Sequence, residues 1–272
     1  MTNDYNIVLS KHNSTLYIGG EMVIGIFYHK NPGAKEFAKR IRAWLKKKGK
    51  RCVFNKVKGI KIAVVLGGDG TILHVADRIA KKGLLVPIIR VNFGTTGFLT
   101  NVEPEDVFDR LTEYLKKKNH IFIKKSRIEV AVKRKRKIVF RKDVLNEAVV
   151  KKLNVGITLF TIKLEDEEIR QRGDGLILAT KTGSTAYNRS ASGSMLVREN
   201  KMVATMICPV DGPWSKALDL NESTEIVVKN FQKGNACLVL DNKMIMELSP
   251  EDSLIVKKSK NFNIFVEFGD KI

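Results

Sequence analysis

The chain has 272 residues, 43% of them hydrophobic, with 49 Lys+Arg against 29 Asp+Glu and a formal net charge of +20. That length supports a sizeable core in one or two domains. No apolar run nears the ~18–20 residues that span a bilayer, and the N-terminus lacks a signal peptide's basic and apolar regions, which together predict a cytoplasmic protein with no membrane partner. Three scattered cysteines, Cys52, Cys208 and Cys237, support neither a disulfide framework nor a zinc site.

In chain order, "MVIGIFYH" (Met22 to His29) predicts a strand, and Ala34, Phe37, Ala38, Ile41, Trp44 and Leu45 then fall on one helical face that ends at Gly49. "KIAVVL" leads through a Gly turn into Ile72, Leu73, Ala76, Ile79 and Ala80 at helical spacing, with Gly83 as the expected C-cap. "LLVPIIRVN" is the next strand, and Pro104 opens a helix with apolar Val107, Phe108, Leu111, Tyr114 and Leu115. This alternation predicts a mainly parallel sheet with helices on its faces.

Beyond about residue 120 the apolar period becomes two. Ile128, Val130 and Val132 alternate with polar or small residues, "KRKRK" makes a turn, and "IVF", "VLNEAVV", "GITLFTIKL", "LILAT", "MVATMIC", "EIVVKNF", "ACLVL", "SLIVKK" and "NFNIFVEF" each predict a strand. The expected architecture is α/β plus β: a Rossmann-like α/β domain over 1–120 followed by an antiparallel, β-sandwich-like domain over 121–272. Residues 1–20 are assigned to a short hairpin extension, and the last strand is a candidate to pack back on the first domain.

The positive charge favours any polyanion, whether nucleic acid, polyphosphate or nucleotide. The clusters "KKKGKR", "KKK" and "KRKRK" sit at the ends of apolar-periodic segments and read as solvated helix ends and a hairpin tip. No aromatic residues interleave them to stack bases. Nucleic-acid binding is therefore expected to be weak, non-specific and lost as salt rises.

Two stretches share a layout of apolar strand, Gly/Asp turn and hydroxyl-bearing residues: "VVLGGDGTILH" (Val64 to His74) and "RGDGLILATKTGSTAYNRSASG" (Arg172 to Gly193). "GGDGT" matches neither the Walker A pattern nor the dinucleotide fingerprint. Glycines between strand and helix let backbone N–H groups point at phosphate oxygens. An acid in such an anion cradle opposes phosphate unless it takes a proton or holds a metal, which singles out Asp69. Standing alone, the loop reads equally well as an Asp-Gly turn.

"GGDGT" after an apolar strand resembles the superfamily of NAD kinases, diacylglycerol and sphingosine kinases and phosphofructokinases. "GDGLILATKTGSTAYNRSASG" resembles the NAD kinase signature, "NFGTTGFLT" (Asn92 to Thr100) its G-x-x-G-F-L segment, and "LNEAVV" its Asn-Glu pair. The four follow in that family's order, and the resemblance spans roughly residues 22–245. It implies phosphoryl transfer from ATP or polyphosphate to NAD, giving NADP, with a divalent ion, most simply Mg2+, accompanying the donor. It also implies a homo-oligomer, dimer or tetramer.

The resemblance carries roles onto individual residues. Asp69 becomes the general base for the adenosine-ribose 2′-hydroxyl; Gly68, Gly70 and Thr71 shape the donor loop, and His74 meets phosphate or ribose. Asn146 and Glu147 bind NAD hydroxyls, Arg172 and Asp174 contact the cofactor, and Thr185, Ala186, Tyr187, Asn188 and Ser190 surround adenine and ribose. Phe98 packs near substrate. Taken singly, each has a plain alternative: a helix-surface His, a polar pair at a strand end, an ion-paired turn, a core aromatic.

The chain departs from the family pattern at Lys181, where Pro is usual, at Arg189, where an apolar residue is common, at "CPVDGPW" and at "LDNK" (Leu240 to Lys243), which stands for an Asp-Gly turn. A lipid kinase sharing "GGDGT" and a non-catalytic nucleotide or nucleic-acid binder are the alternatives.

Overall fold

The computed structural model describes residues 22–29, 32–94, 97–116, 120–154, 157–164, 167–210, 217–229 and 236–269. The expected hairpin over residues 1–20 and residues 211–214 of "CPVDGPW" lie outside them. In chain order the elements are β1 (Val23–Tyr28), α1 (Pro32–Lys47), β2 (Arg51–Phe54), β3 (Ile62–Gly67), α2 (Asp69–Ala80), β4 (Pro87–Asn92), a 3-10 turn (Pro104–Asp106) and α3 (Val107–Lys116). There follow β5 (Ile121–Arg134), β6 (Lys137–Val144), β7 (Glu147–Lys152), β8 (Thr158–Leu164), β9 (Glu167–Gly173), β10 (Gly175–Thr180), α4 (Lys181–Ser184) and α5 (Tyr187–Ser190). The chain ends with β11 (Lys201–Ile207), β12 (Ala217–Asn221), β13 (Ile226–Lys229), β14 (Ala236–Leu240), β15 (Lys243–Leu248) and β16 (Asp252–Glu267).

The described residues form two compact units, one up to Lys125 together with the segment from Phe262 onward, the other from Ser126 to Asn261. In the first, parallel strands run in the order β2-β1-β3-β4, and the C-terminal part of β16 joins β4 in parallel through Ile264 and Phe265. All six residues of β3 are buried. A parallel strand covered on both faces must read as a continuous apolar run, which is what "IAVVLG" supplies. Helix α1 buries Ala34, Ala38, Ile41 and Leu45, with Phe37 and Trp44 packed at the margin of the same core. Helix α2 ends at Ala80 with Lys81 as its C-cap; Gly83, the expected cap, lies two residues further on at φ +62°.

The second unit is a sandwich of antiparallel strands. One layer runs β12-β11-β10-β7-β14-β15; the other includes β16-β13-β8-β9, with β5 pairing β16 and β6. Ile128, Val130, Phe160, Ile162 and Val256 from the second layer meet Val150, Leu176, Leu178, Ala204 and Leu238 from the first in one core. The opposite face of β10 and its neighbours is covered too, by a smaller cluster of Val149, Ile177, Ala179, Leu196 and Val203. This explains why "GLILAT" is apolar without alternation.

Three details differ from the sequence reading. "VLNEAVV" is broken at Leu145 and Asn146, between β6 and β7. "SLIVKK" and "NFNIFVEF" are one 16-residue strand, β16, because Ser259 and Lys260 between them continue the extended backbone instead of turning. Strands β2, β9, β12 and β15 carry no period-two signal strong enough to be read in advance. Among the described residues no helix is long and apolar enough to cross a membrane.

Candidate active site

In the first unit the residues after β3 form the GGDGT turn into α2. Gly68 is the N-cap of α2 and Asp69 its first helical residue, so the acid belongs to the first turn of the helix rather than to a loop ahead of it. There the first-turn N–H groups favour its negative charge. Its two carboxylate oxygens accept N–H groups from Phe98 (3.1 Å) and Leu99 (3.0 Å), which draws the G-F-L segment against the GGDGT turn. The chains approach closely here: a Cβ on Gly94 would stand 3.2 Å from the Gly68 Cα. A Cβ on Gly70 would meet nothing within 4 Å, so this residue faces open space. His74 is exposed one turn further along α2, and Phe98 is 63% exposed beside Asp69, not core. Gly68, Asp69, Gly70, Thr71 and His74 thus lie along one turn and helix start, with Phe98 held beside it by its N–H bond to Asp69.

In the second unit, Asn146 and Glu147 lie at the start of β7, where Glu147 pairs Ala179 of β10. Both are buried, as is Thr182 in α4. Gly183 lets α4 rest on the Asn146 backbone: a Cβ there would be 2.1 Å from the Asn146 carbonyl oxygen. Within the described residues Asn146 Oδ1, Glu147 Oε2 and Thr182 Oγ1 are buried and have no hydrogen-bond partner. Each such group costs about 1–3 kcal/mol until something pairs with it, so a cluster of them marks a surface built for a polar ligand.

Asp241, which the sequence reading passed over as part of "LDNK", completes this corner. It turns the chain between β14 and β15 with Asn242, at φ +46° and +62°, as a tight hairpin turn requires. Its carboxylate accepts the N–H groups of Leu145 (3.1 Å) and Asn146 (2.8 Å). Burial, and then the Asp241 charge, push the Glu147 carboxyl up to about 8. Burial also raises Asp241, but its two amide donors favour the ionised form. The Glu147 carboxyl therefore keeps its proton at neutral pH.

This arrangement has a pH signature. Between the ordinary value of 4.5 and about 8, the folded protein holds a proton on Glu147 that the unfolded chain has released. Stability must then fall as pH rises through that window, by up to about 1.4 kcal/mol per pH unit from this group. Urea denaturation of ligand-free protein at pH 5.5 and 7.5 should show the loss, and Glu147→Gln should remove most of it; parallel slopes for the two proteins would contradict the buried, protonated carboxyl.

The Thr/Ser run folds into two short helices, and much of its polarity is spent internally. Thr180 Oγ1 caps α4 by accepting the Gly183 N–H and donates to the Leu145 carbonyl at 2.6 Å. Ser184 Oγ donates to the Lys181 carbonyl and accepts the Leu196 N–H, and Thr185 Oγ1 donates to the Thr182 carbonyl. Thr185 and Ala186 are half-buried; Tyr187 and Ser190 are exposed. Asn188 departs from its expected place around the adenine. It is fully buried, donates to the carbonyls of Ser184 and Ser194, and accepts from Thr205 Oγ1 at 2.6 Å. Its amide holds the loop 184–194 together instead of facing a ligand. Asn188→Ala should destabilise the unit by about 3 kcal/mol through stranded buried acceptors, read as a lower melting temperature; an unchanged melt would contradict this role.

Arg172 and Asp174 are exposed around Gly173, whose Cβ position is closed by the Ile207 carbonyl at 2.9 Å. They lie at the end of β10 opposite to Thr180. The six residues of that extended strand put Asp174 roughly 20 Å from Thr180. Within one chain the second unit therefore does not bring Arg172 and Asp174 to Asn146, Glu147 and Thr182. Of the two additional cations, Arg189 is exposed, while Lys181 is half-buried and 3.8 Å from Glu199.

A relative from Methanosarcina mazei called NAD kinase is 33% identical over 219 residues, covering 78% of this chain and 71% of its own. Among solved structures, yeast NADH kinase complexed with NADH shares the fold at a TM-score of 0.82 and 21% identity, over 92% of this chain and 84% of the other. An NAD kinase from Archaeoglobus fulgidus in complex with ATP does so at 0.75 and 24%, over 90% and 94%. The ATP-NAD kinase N-terminal domain model matches residues 51–119, which contain the GGDGT turn, and the ATP-NAD kinase C-terminal domain model matches residues 145–268, which contain the buried polar corner. Because these two matches take in more than half of the sequence and enclose all four motifs, the chain belongs to the NAD kinase family.

Proposed function

We propose that this enzyme transfers the terminal phosphoryl group of ATP to the 2′-hydroxyl of the adenosine ribose of NAD, giving NADP. The observation that carries the recognition half of this reading is the buried, unpartnered trio of Asn146 Oδ1, Glu147 Oε2 and Thr182 Oγ1. A protonated Glu147 and an amide together offer donors and acceptors to the vicinal hydroxyls of a ribose. On the first unit, the start of α2 offers N–H groups to donor phosphates, and Asp69, whose bonds to Phe98 and Leu99 hold it in one orientation, accepts the hydroxyl proton.

A divalent ion neutralises clustered phosphate charge in reactions of this kind. Among the described residues no three His, Cys, Asp or Glu side chains group to hold one. The residues present fit an ion that arrives on the donor, with Asp69, whose oxygens keep free lone pairs, as the protein group to meet it.

The net charge of +20 favours inorganic polyphosphate as a second donor. Lys181 contributes less to this than its sequence position suggests, since Glu199 lies beside it. The test is incubation of purified protein with NAD and Mg2+, and either ATP or polyphosphate, followed by assay of NADP. NADP with ATP supports the reading; no NADP with either donor, together with no measurable NAD affinity, overturns it. NADP with ATP alone removes polyphosphate.

A further inference from the structure

Strand β4 carries an arginine where a buried parallel strand would be expected to be apolar. Arg90 is 5% exposed, between Ile89 and Val91, which are also buried. Burying a guanidinium is costly unless its donors are met; here both Nη groups are met by one small region, while Nε has no partner among the described residues. Arg90 Nη1 donates to the Leu99 carbonyl at 2.8 Å; Nη2 donates to the Val266 carbonyl at 3.2 Å and pairs with the Glu267 carboxylate. The Arg90 backbone carbonyl accepts the N–H groups of Asn101 and Val102, and Asn101 Nδ2 donates to the Val266 carbonyl at 2.9 Å. The guanidinium also lies 4.4 Å from the centre of the Phe265 ring.

The consequence lies at Leu99. Its N–H is given to Asp69 Oδ1 and its carbonyl is taken by Arg90, so one residue is pinned at both ends, on one side by the acid and on the other by the buried cation. The neighbouring Phe98 N–H goes to the other Asp69 oxygen. We propose that Arg90, anchored by Glu267 at the end of β16, is a positioning residue for Asp69: it holds residues 98–99 so that their two N–H groups set the direction of the Asp69 carboxylate. This rests on the reading of Asp69 as the general base. A carboxylate displaced by about 1 Å from its reacting hydroxyl can lose on the order of 10²-fold in rate, so a residue that never touches substrate can still set turnover.

Arg90→Met tests this, with Glu267→Gln as a milder variant that keeps the cation but loosens its anchor. Hydrogen exchange reads the positioning itself, without any turnover: the Phe98 and Leu99 amides should exchange roughly tenfold faster or more in Arg90→Met. Turnover with ATP should fall roughly tenfold to hundredfold in Arg90→Met and less in Glu267→Gln, while NAD affinity stays within about twofold of wild type, since NAD recognition is assigned to other residues. In an Asp69→Asn background the Arg90→Met loss should vanish, because the group it positions is gone. Unchanged exchange at 98–99, or an equal fold-loss in both backgrounds, overturns the inference. Should Arg90→Met fail to fold, the same two comparisons are made with Glu267→Gln, and unchanged exchange and turnover there count against it. Wild-type protein that makes no NADP would instead overturn the functional reading, with the exchange result still deciding whether Arg90 holds residues 98–99.

Discussion

Asp69→Asn is expected to lower turnover by roughly 10²–10⁴-fold, the range for loss of a general base, while NAD affinity survives. The second half of that expectation follows from where recognition is assigned: Asn146, Glu147 and Thr182 belong to a different unit from Asp69. The structure adds a qualification to the substitution. Both Asp69 oxygens accept a backbone N–H, from Phe98 and Leu99. An amide can accept one of these but must present its own NH2 to the other, so Asn loses one bond and creates a donor facing a donor. Part of the rate loss will then be displacement of residues 98–99. Pre-steady-state NADP formation, an NAD titration and hydrogen exchange at those two amides separate the contributions. Near-normal turnover would remove Asp69 from the chemistry altogether.

How much of this was legible in the sequence depends on where each residue sits. The buried strands β3, β10 and β14 are written as unbroken or alternating apolar runs because neighbours cover them. The strands without a sequence signal, β2, β9, β12 and β15, all stand at an end of a strand order. An edge strand has one neighbour instead of two and tolerates, even favours, charge on its open side; "EEIRQRG" shows no period-two pattern for that reason. The GGDGT loop and the Asn-Glu pair were legible because each is a short contiguous motif. Asp241 and Arg90 were not, since each acts on residues far along the chain: Asp241 on Leu145 and Asn146, Arg90 on Val266 and Glu267.

The hydroxyl-rich run shows a subtler failure. Composition suggests that Thr180, Ser184, Thr185 and Asn188 are polar to meet a ligand, yet their hydrogen bonds cap helices and tie down loop 184–194. Small hydroxyls suit a short helix that must turn tightly as much as they suit a ligand. Thr182 is the one buried hydroxyl of the run whose oxygen lacks a partner among the described residues. A sequence cannot separate these cases; only the accounting of each donor and acceptor does.

Gly183→Ala should be the most damaging single-methyl change in the recognition corner. A Cβ there would stand 2.1 Å from the Asn146 carbonyl oxygen, 2.4 Å from its carbon and 2.8 Å from its Cα. All three are backbone atoms, so no rotamer change relieves the overlap. Nor can Asn146 simply retreat: its N–H is held by Asp241 and its carbonyl by the Thr180 N–H at 2.9 Å. Either α4 lifts or the start of β7 shifts, and both routes separate Thr182 from Asn146 and Glu147. Overpacking of this kind costs about 1–3 kcal/mol and occasionally more; the loss of alignment among three ligand groups should weaken NAD binding by at least roughly tenfold, equal to about 1.4 kcal/mol. Gly70→Ala is the matched control. Its added methyl meets nothing within 4 Å, and it lies within α2, where Ala is favoured over Gly by about 1 kcal/mol. The melting temperature of Gly70→Ala should hold or rise and its NAD affinity should match wild type. Calorimetric titration with NAD and thermal denaturation of both variants decide the matter: wild-type NAD affinity in a folded Gly183→Ala protein would mean that the corner formed by Asn146, Glu147 and Thr182 is not where NAD is recognised.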